Sequence, residues 1–462
     1  MARSLRYVVF ALGIMAALAV GVMAEPVTAQ VVPDATPTPP KAETPSLDKI
    51  PEVRDGIEQF RKGAFDDAAR LFAKAAETHP ELPPAQIIMF QLFVAANQAG
   101  MARMSLERAV MQNPEDPESF VILGNLALQE RRMTDAELLY LKGKEVLAGF
   151  KGADSRKKIM EPQIISGLAS VAEAREKWDL AKTYLESLLA VNAKDAFAMQ
   201  RMARALFQLK DAKGALDKLR EAKAADEKNV LTPEATLGRF YEQFGDHENA
   251  VKWMTKALKV ADKDLRTRLI VAQWYLETGQ IDEAKREALA AQTIEERSLD
   301  AQILLGVVYL FQKDFKESEK CFQNAHLQSP GNFAASNNLA LSLCEQNDDA
   351  KKARALEYAN ANYQAYQKNA DAASTLGWVL YKLKDLDRAE LALRQAAQGG
   401  NLSADTAYYI AQISYDRGRK WDAKVLLEAV LKSGRPFSMR KEASELYEKV
   451  KNEQAPAPAA SR

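Results

Sequence analysis

The sequence predicts an all-α fold, an α-solenoid in which helical hairpins stack one after another along most of the 462-residue chain. Three observations support this prediction. Apolar residues recur at helical spacing, while no strand-like alternation persists for more than a few residues. A small residue returns about every 34 positions. Alanines return at a matching position in the helix that follows, where two helices approach closely only if the side chains are small.

Residues 1–24 have the pattern of a signal peptide. Arg3 and Arg6 precede an uncharged apolar run over 7–23, and small residues follow at plausible cleavage points. The run is also near the lower length limit for a membrane span, so an uncleaved N-terminal anchor is the alternative. In both cases we expect the rest of the chain to be exported, to the periplasm or cell envelope.

Two segments rich in proline and alanine flank the helical part. Residues 25–46 include PVTAQVVPDATPTPPKAETPS, and residues 453–462 read EQAPAPAASR. Proline does not fit a helix interior, and segments of this composition bury little apolar surface. The first is therefore predicted to be a linker and the second a disordered tail, with the solenoid between them at 47–434.

One small packing position marks each unit of the repeat. It is occupied in turn by Gly56, Phe90, Gly124, Ala169, Ala203, Gly238, Ala272, Gly306, Ala340, Gly377 and Ala411, and seven of the ten successive steps are 34 residues. The two longest steps contain insertions with the charged stretches SRKK (155–158) and NDDAKK (347–352). We expect these stretches to be solvated loops, with docking edges as the alternative, because insertions in solenoids map to surface loops.

The repeat unit also carries a recognisable motif. The stretch LGVVYLFQKDFKESEKCFQNAHLQSP (305–330) shows L-G-x-x-Y, then a small residue four positions before Phe322, then a closing Ala and Pro. This helix–turn–helix unit resembles the tetratricopeptide repeat. The resemblance implies about eleven repeats in a right-handed α-solenoid. Residues 435–452 are amphipathic and are predicted to form a capping helix over the last apolar surface.

In this family the first helix of each unit lines a concave groove, and the resemblance implies which positions face it. Carried onto this sequence, the predicted partner-binding groove comprises Arg204, Phe207, Arg239, Val307, Leu310, Leu341, Trp378, Tyr381, Tyr408 and Tyr415. Arg204 and Arg239 occupy the same slot in adjacent units. Their guanidinium groups could converge on an acidic group of a ligand, or each could pair with a neighbouring glutamate, Glu173 or Glu242.

Toward the C-terminus the predicted groove becomes apolar and aromatic. The small packing residue and a set of leucines already account for the contacts inside the hairpin, so Trp378 is not needed there. We therefore expect its ring to be exposed in the groove, next to Tyr381 and the two tyrosines of the following unit. On this reading, truncation of Trp378 weakens binding more than stability.

Motifs for catalysis are absent from the sequence. No H-E-x-x-H, C-x-x-C or G-x-S-x-G pattern and no glycine-rich phosphate loop occurs, so no catalytic residue, metal site or cofactor is predicted. Lys and Arg together number 63, as do Asp and Glu, so no overall field favours nucleic acid or an anionic membrane. Two cysteines, Cys321 and Cys344, are predicted to be buried thiols, with a disulfide as the alternative.

These observations predict a noncatalytic protein–protein interaction scaffold of the bacterial cell envelope. It would bind a protein or peptide in the concave groove and meet the membrane only through an uncleaved N-terminal segment. One alternative is a periplasmic scaffold for polysaccharide export or surface-protein sorting, which rests on analogy of fold. Another is a carbohydrate-binding module, because rows of aromatic side chains also stack on sugars.

Overall fold

A computed structural model describes residues 50–398 and 402–454 of the chain. Over these ranges it contains 23 α-helices and no strand. The predicted signal peptide and linker, and residues 455–462 of the predicted tail, lie outside the described residues. None of the described helices is both long enough and apolar enough to cross a membrane.

The helices fall into two compact units, with the division between Pro233 and Glu234. In the first unit they are α1 (Pro51–Arg61), α2 (Phe65–Thr78), α3 (Ala85–Ala95), α4 (Ala99–Gln112), α5 (Pro117–Gln129), α6 (Met133–Ala148), α7 (Asp154–Ala174), α8 (Trp178–Val191), α9 (Ala196–Gln208) and α10 (Ala212–Ala225). In the second unit they are α11 (Pro233–Gln243), α12 (His247–Val260), α13 (Leu265–Glu277), α14 (Ile281–Ile294), α15 (Leu299–Phe311), α16 (Phe315–Gln328), α17 (Phe333–Cys344), α18 (Asp349–Ala365), α19 (Ala370–Lys382), α20 (Leu386–Ala397), α21 (Ala404–Asp416), α22 (Lys420–Lys432) and α23 (Arg440–Gln454). In both units the helices form hairpins that stack on the next hairpin, as the repeat predicts.

Close packing inside each hairpin depends on the small residue of the repeat. A Cβ atom added to Gly306 would lie 2.6 Å from the ring of Phe322, which is fully buried. The same test on Gly377 gives 2.6 Å to the side chain of Leu393 and 3.0 Å to a backbone oxygen of the second helix. The predicted pairing of a small residue with a large one on the second helix is therefore confirmed. It fixes the distance between the two helices.

The turn between the two helices is also repeated. In ten of the eleven hairpins a residue with positive φ follows the small packing residue by seven positions; these are Gly63, Asn97, Arg131, Glu176, Lys210, Gly245, Gly279, Lys313, Lys384 and Gly418. After α15, for example, the amide of Asp314 donates to the carbonyl of Tyr309, which satisfies an end carbonyl of the helix. The exception is the α17–α18 hairpin, which carries the three-residue insertion.

The expectation of a solvated loop was wrong for SRKK, whereas residues 347–350 of NDDAKK are exposed, at the turn before α18 and in its first residues. SRKK lies in the first turns of α7, where the side chain of Arg156 is 10% exposed and contacts the carboxylates of Asp116 at 2.8 Å and Glu118 at 2.7 Å. In NDDAKK, Lys351 pairs with Glu319 at 2.6 Å. Long basic side chains reach buried carboxylates across a hairpin boundary, which charge patterning alone does not reveal.

The C-terminal helix α23 begins at Arg440, later than the predicted start at 435. The carboxylate of Asp405 accepts hydrogen bonds from the hydroxyl of Ser438 at 2.8 Å and from the amide of Met439 at 3.1 Å, which holds the preceding residues outside the helix. Ala443 and Val450 are fully buried, and α23 packs against α22 and α21. It covers the last hairpin as a capping helix should.

Candidate partner-binding surface

In the first unit the predicted groove residues lie beside a buried polar network. Arg204 is half-buried and its guanidinium lies 6.0 Å from the centre of the Trp178 ring, while Phe207 is 9% exposed. Glu173 is bound at 3.0 Å by Arg201, not by Arg204. The alternative in which Arg204 pairs with Glu173 is therefore wrong. Arg201 is 5% exposed and also donates to the hydroxyl of Ser166 at 2.8 Å, so it is a structural residue that the sequence analysis missed.

Arg239 belongs to the second unit. Its guanidinium lies 4.0 Å from the carboxylate of Glu277, with about a third of each side chain exposed. Glu242, which was considered as its partner, instead accepts from the indole of Trp274 and contacts His247, both at 2.9 Å. Arg239 is thus loosely paired and partly accessible. Its predicted convergence with Arg204 on one ligand stays a prediction.

Trp378 lies at the centre of an aromatic cluster. Its ring stacks on Tyr409 at 4.1 Å and on Tyr381 at 4.9 Å, with interplanar angles of 13° and 15°. The indole N–H donates to the carboxylate of Glu345 at 2.6 Å, and the same carboxylate pairs with Lys382 at 2.7 Å. Stacking partners and a charge-assisted hydrogen bond together leave the side chain only 3% exposed.

The expectation that the Trp378 ring is exposed is therefore wrong. Neighbouring first helices bring Tyr409 and Glu345 onto the ring, and these residues lie about one repeat away along the chain. Trp274 shows the same arrangement, since its partner Glu242 precedes it by 32 residues and Glu345 precedes Trp378 by 33. A glutamate one repeat before a tryptophan on a first helix was thus the available signal for a buried indole.

The other predicted groove residues divide into buried and half-exposed sets. Val307, Leu310 and Tyr408 are buried, and burial raises the pKa of the Tyr408 phenol. Leu341, Tyr381 and Tyr415 are half-exposed.

Each of the two half-exposed tyrosines binds a carboxylate. The hydroxyl of Tyr381 donates to Asp416 and that of Tyr415 donates to Glu453, both at 2.8 Å. Burial, followed by the hydrogen bond to Asp416, raises the pKa of Tyr381. Tyr381 and Tyr415 occupy equivalent positions of neighbouring first helices, so the two rings form an amphipathic edge. Its Tyr415 end also carries positive charge, because Lys420 pairs with Glu453 at 2.9 Å and the Lys449 ammonium lies 4.7 Å from the centre of the Tyr415 ring.

The described residues offer no group of three or more side chains suited to a metal ion. Both cysteines are free thiols, and burial raises the pKa of Cys321 to about 11 and that of Cys344 well above its usual range. Neither thiol is activated for nucleophilic chemistry.

Comparison with protein-family profiles agrees with the repeat. Profiles of the tetratricopeptide repeat family match residues 89–145, 167–230 and 235–264. A comparison with curated protein sequences found no match.

Among solved structures, a tetratricopeptide repeat protein from Parabacteroides merdae is 14% identical, with a TM-score of 0.44, over 56% of this chain and 99% of its own. Yeast Tom70 is 16% identical, with a TM-score of 0.36, over 87% of this chain and 95% of its own. A thermophilic protein of this class from Thermus thermophilus is 16% identical, with a TM-score of 0.35, over 40% of this chain and 98% of its own.

The matched profiles cover five of the predicted units, and hairpins of the same construction continue on both sides of them. Tetratricopeptide repeats are therefore present in this chain over the matched residues.

Proposed function

We propose that this protein is a noncatalytic scaffold of the bacterial cell envelope that binds a protein or peptide partner on the concave face of its repeats. The observation that carries the proposal is the edge formed by Tyr381 and Tyr415. Each ring is half-exposed while its hydroxyl is held by a carboxylate. Rigid tyrosines of this kind supply large contact area at low entropic cost, as binding hot spots do.

The location in the envelope rests on the N-terminal sequence alone. The basic start, the apolar run and the proline-rich linker favour export, with either a cleaved signal or an anchor. A role beside polysaccharide export or surface-protein sorting would fit this location. Sequencing the N-terminus of the protein purified from its source cells distinguishes the two forms, because a cleaved signal removes Met1.

A carbohydrate-binding module is less well supported. Sugars stack on open aromatic faces, whereas the Trp378 ring has tyrosines stacked on it and is almost wholly buried. Tyr408 is 6% exposed. The half-exposed edge of Tyr381 and Tyr415 suits the mixed apolar and polar surface of a protein segment better.

The test is photo-crosslinking in living cells. A benzophenone amino acid replaces Tyr381 or Tyr415, or, as controls, the exposed Leu391 or Met111, which are 70% and 82% exposed. The proposal predicts one set of protein adducts from the two tyrosine positions and none of that set from the control positions. Equal adducts at all four positions, or no protein adduct at either tyrosine, would contradict a specific partner on this face.

A further inference from the structure

The segment between α22 and α23, together with the first turn of α23, has contacts that a capping helix does not need. We call residues 435–442 the strap. The Lys313 ammonium lies 2.8 Å from the Glu442 carboxylate and 3.0 Å from the sulfur of Met439. A Cβ atom added to Gly279 would lie 3.2 Å from Cγ of Pro436. Phe437 and Met439 are buried, so the side chains of the strap pack against the hairpins beneath it.

The residues that contact the strap from the other side belong to hairpins much earlier in the chain. Gly279 is in the turn of the α13–α14 hairpin and Lys313 is in that of the α15–α16 hairpin. Three complete hairpins separate the first of these turns from the α21–α22 hairpin. Because adjacent hairpins stack about 10 Å apart, a straight stack would hold these parts tens of ångströms from each other. The stack of the second unit therefore curves, and the strap closes it on the concave side.

The strap also lies next to the predicted groove residues. Asp405, which accepts from Ser438 and Met439, lies in the first turn of the helix that carries Tyr408. The charge of Glu442 acts on Tyr408, where it adds to the effect of burial in raising the phenol's pKa. One carboxylate oxygen of Glu442 is buried without a hydrogen-bond partner, so the strap is held by an incompletely satisfied set of polar contacts.

We propose that the strap is a latch that closes the concave side of the second unit and must release before a partner can enter the predicted groove beside Tyr408. This inference rests on the proposed function, because it identifies a segment of the chain itself as the competitor of the partner. The ion pair between Lys313 and Glu442 is about a third exposed, which suits a segment that opens without unfolding the hairpins beneath it.

The first test needs no partner. Amide hydrogen exchange is followed by mass spectrometry in the full chain and in Lys313→Glu, which sets a glutamate against Glu442 and Asp405. The matched control is Lys420→Glu, because Lys420 also pairs with a glutamate of α23, Glu453 at 2.9 Å, but does not reach across the concave side. We expect Lys313→Glu to raise exchange in 435–442 about tenfold without a similar rise in α22, and Lys420→Glu to leave the strap nearly unchanged. A strap that exchanges only together with α22 in all three proteins would overturn the latch.

The second test locks the strap. A Cβ atom at Gly279 would be 3.8 Å from Cβ of Pro436, which is within the distance that a disulfide spans. Gly279→Cys with Pro436→Cys is made in a background with Cys321→Ser and Cys344→Ala. The positive φ of Gly279 strains the new cysteine in both redox states, so a comparison of oxidised and reduced protein cancels that strain.

The probe is a phage-displayed library of random dodecapeptides, selected on the reduced protein and then measured on both redox forms. The latch predicts binders whose affinity falls at least about tenfold on oxidation and returns on reduction. Binders with equal affinity for the oxidised and reduced protein would overturn the latch and leave the proposed function standing. If neither form selects any binder, both the proposed peptide binding and the gating role of the strap are contradicted.

Discussion

The burial of Trp378 leads to a prediction about stability that reverses the expectation from sequence. Trp378→Ala removes a ring that stacks on two tyrosines and a hydrogen bond to the buried carboxylate of Glu345. Stacking contributes about 0.5–1.5 kcal/mol per aromatic pair, and a hydrogen bond to a charged group about 1.5–3 kcal/mol. These contributions are part of the total cost of truncating a buried aromatic side chain, which also includes the cavity left behind. We therefore expect the free energy of unfolding to fall by about 3–5 kcal/mol.

The assay combines urea unfolding with hydrogen exchange resolved by peptide. Because each hairpin contacts mainly its neighbours, the loss should appear as faster exchange in α17, α19 and α21 and much less in the first unit. Trp421→Ala is the control, since that side chain is 69% exposed and its loss should change stability by less than about 0.5 kcal/mol.

A second variant separates the ring from its N–H group. Trp378→Phe keeps an aromatic ring between the tyrosines but leaves Glu345 with Lys382 as its remaining partner. We expect an intermediate loss of about 1–3 kcal/mol. If Trp378→Ala unfolds within about 1 kcal/mol of the parent, the stacked and buried ring described above is incorrect.

Three further predictions follow from packing and burial. Ala250→Leu overfills a fully buried contact and should cost about 1–3 kcal/mol, with faster hydrogen exchange confined to the flanking hairpins rather than spread along the chain. Gly306→Ala should cost a similar amount in urea unfolding, about 1–3 kcal/mol, whereas Gly331→Ala, with no atom within 4 Å of the new Cβ, should be nearly neutral. The thiol of Cys321, with a pKa near 11, should react with a disulfide reagent at pH 8 roughly 100-fold more slowly than a free thiol until the chain is unfolded. Burial of the protonated thiol should stabilise the fold fully below the unfolded pKa, about 8.5, and this stabilisation should be lost as the pH rises through about 11. Equal rates of reaction with the disulfide reagent in folded and unfolded protein would contradict the burial.

The strap and the photo-crosslinking experiments address different parts of the proposal. Crosslinks from Tyr381 and Tyr415 test whether a partner meets the concave face, while exchange in 435–442 tests whether the chain itself controls that face. Together with the Trp378 variants they separate three roles that the predicted groove residues could have, namely contact with a partner, support of the fold and closure by the strap.

The repeat and its hairpins could be predicted from the sequence because they depend on short-range rules. The small residue at Gly306 and the large one at Phe322 lie in one hairpin, and their sizes alone decide how near the two helices come. The seven-residue distance from the small residue to the turn follows from the length of the first helix. Each unit repeats these relations, so the signal accumulates along the chain.

The orientation and exposure of the groove residues were decided only by the tertiary structure. Trp378 is buried because Glu345 and Tyr409 reach it from the neighbouring hairpins, and Arg156 is buried because two carboxylates receive it. The strap meets Lys313 only because the whole second unit curves. Curvature is the sum of small rotations between successive hairpins, each set by side-chain packing at an interface, and no single stretch of sequence encodes that sum.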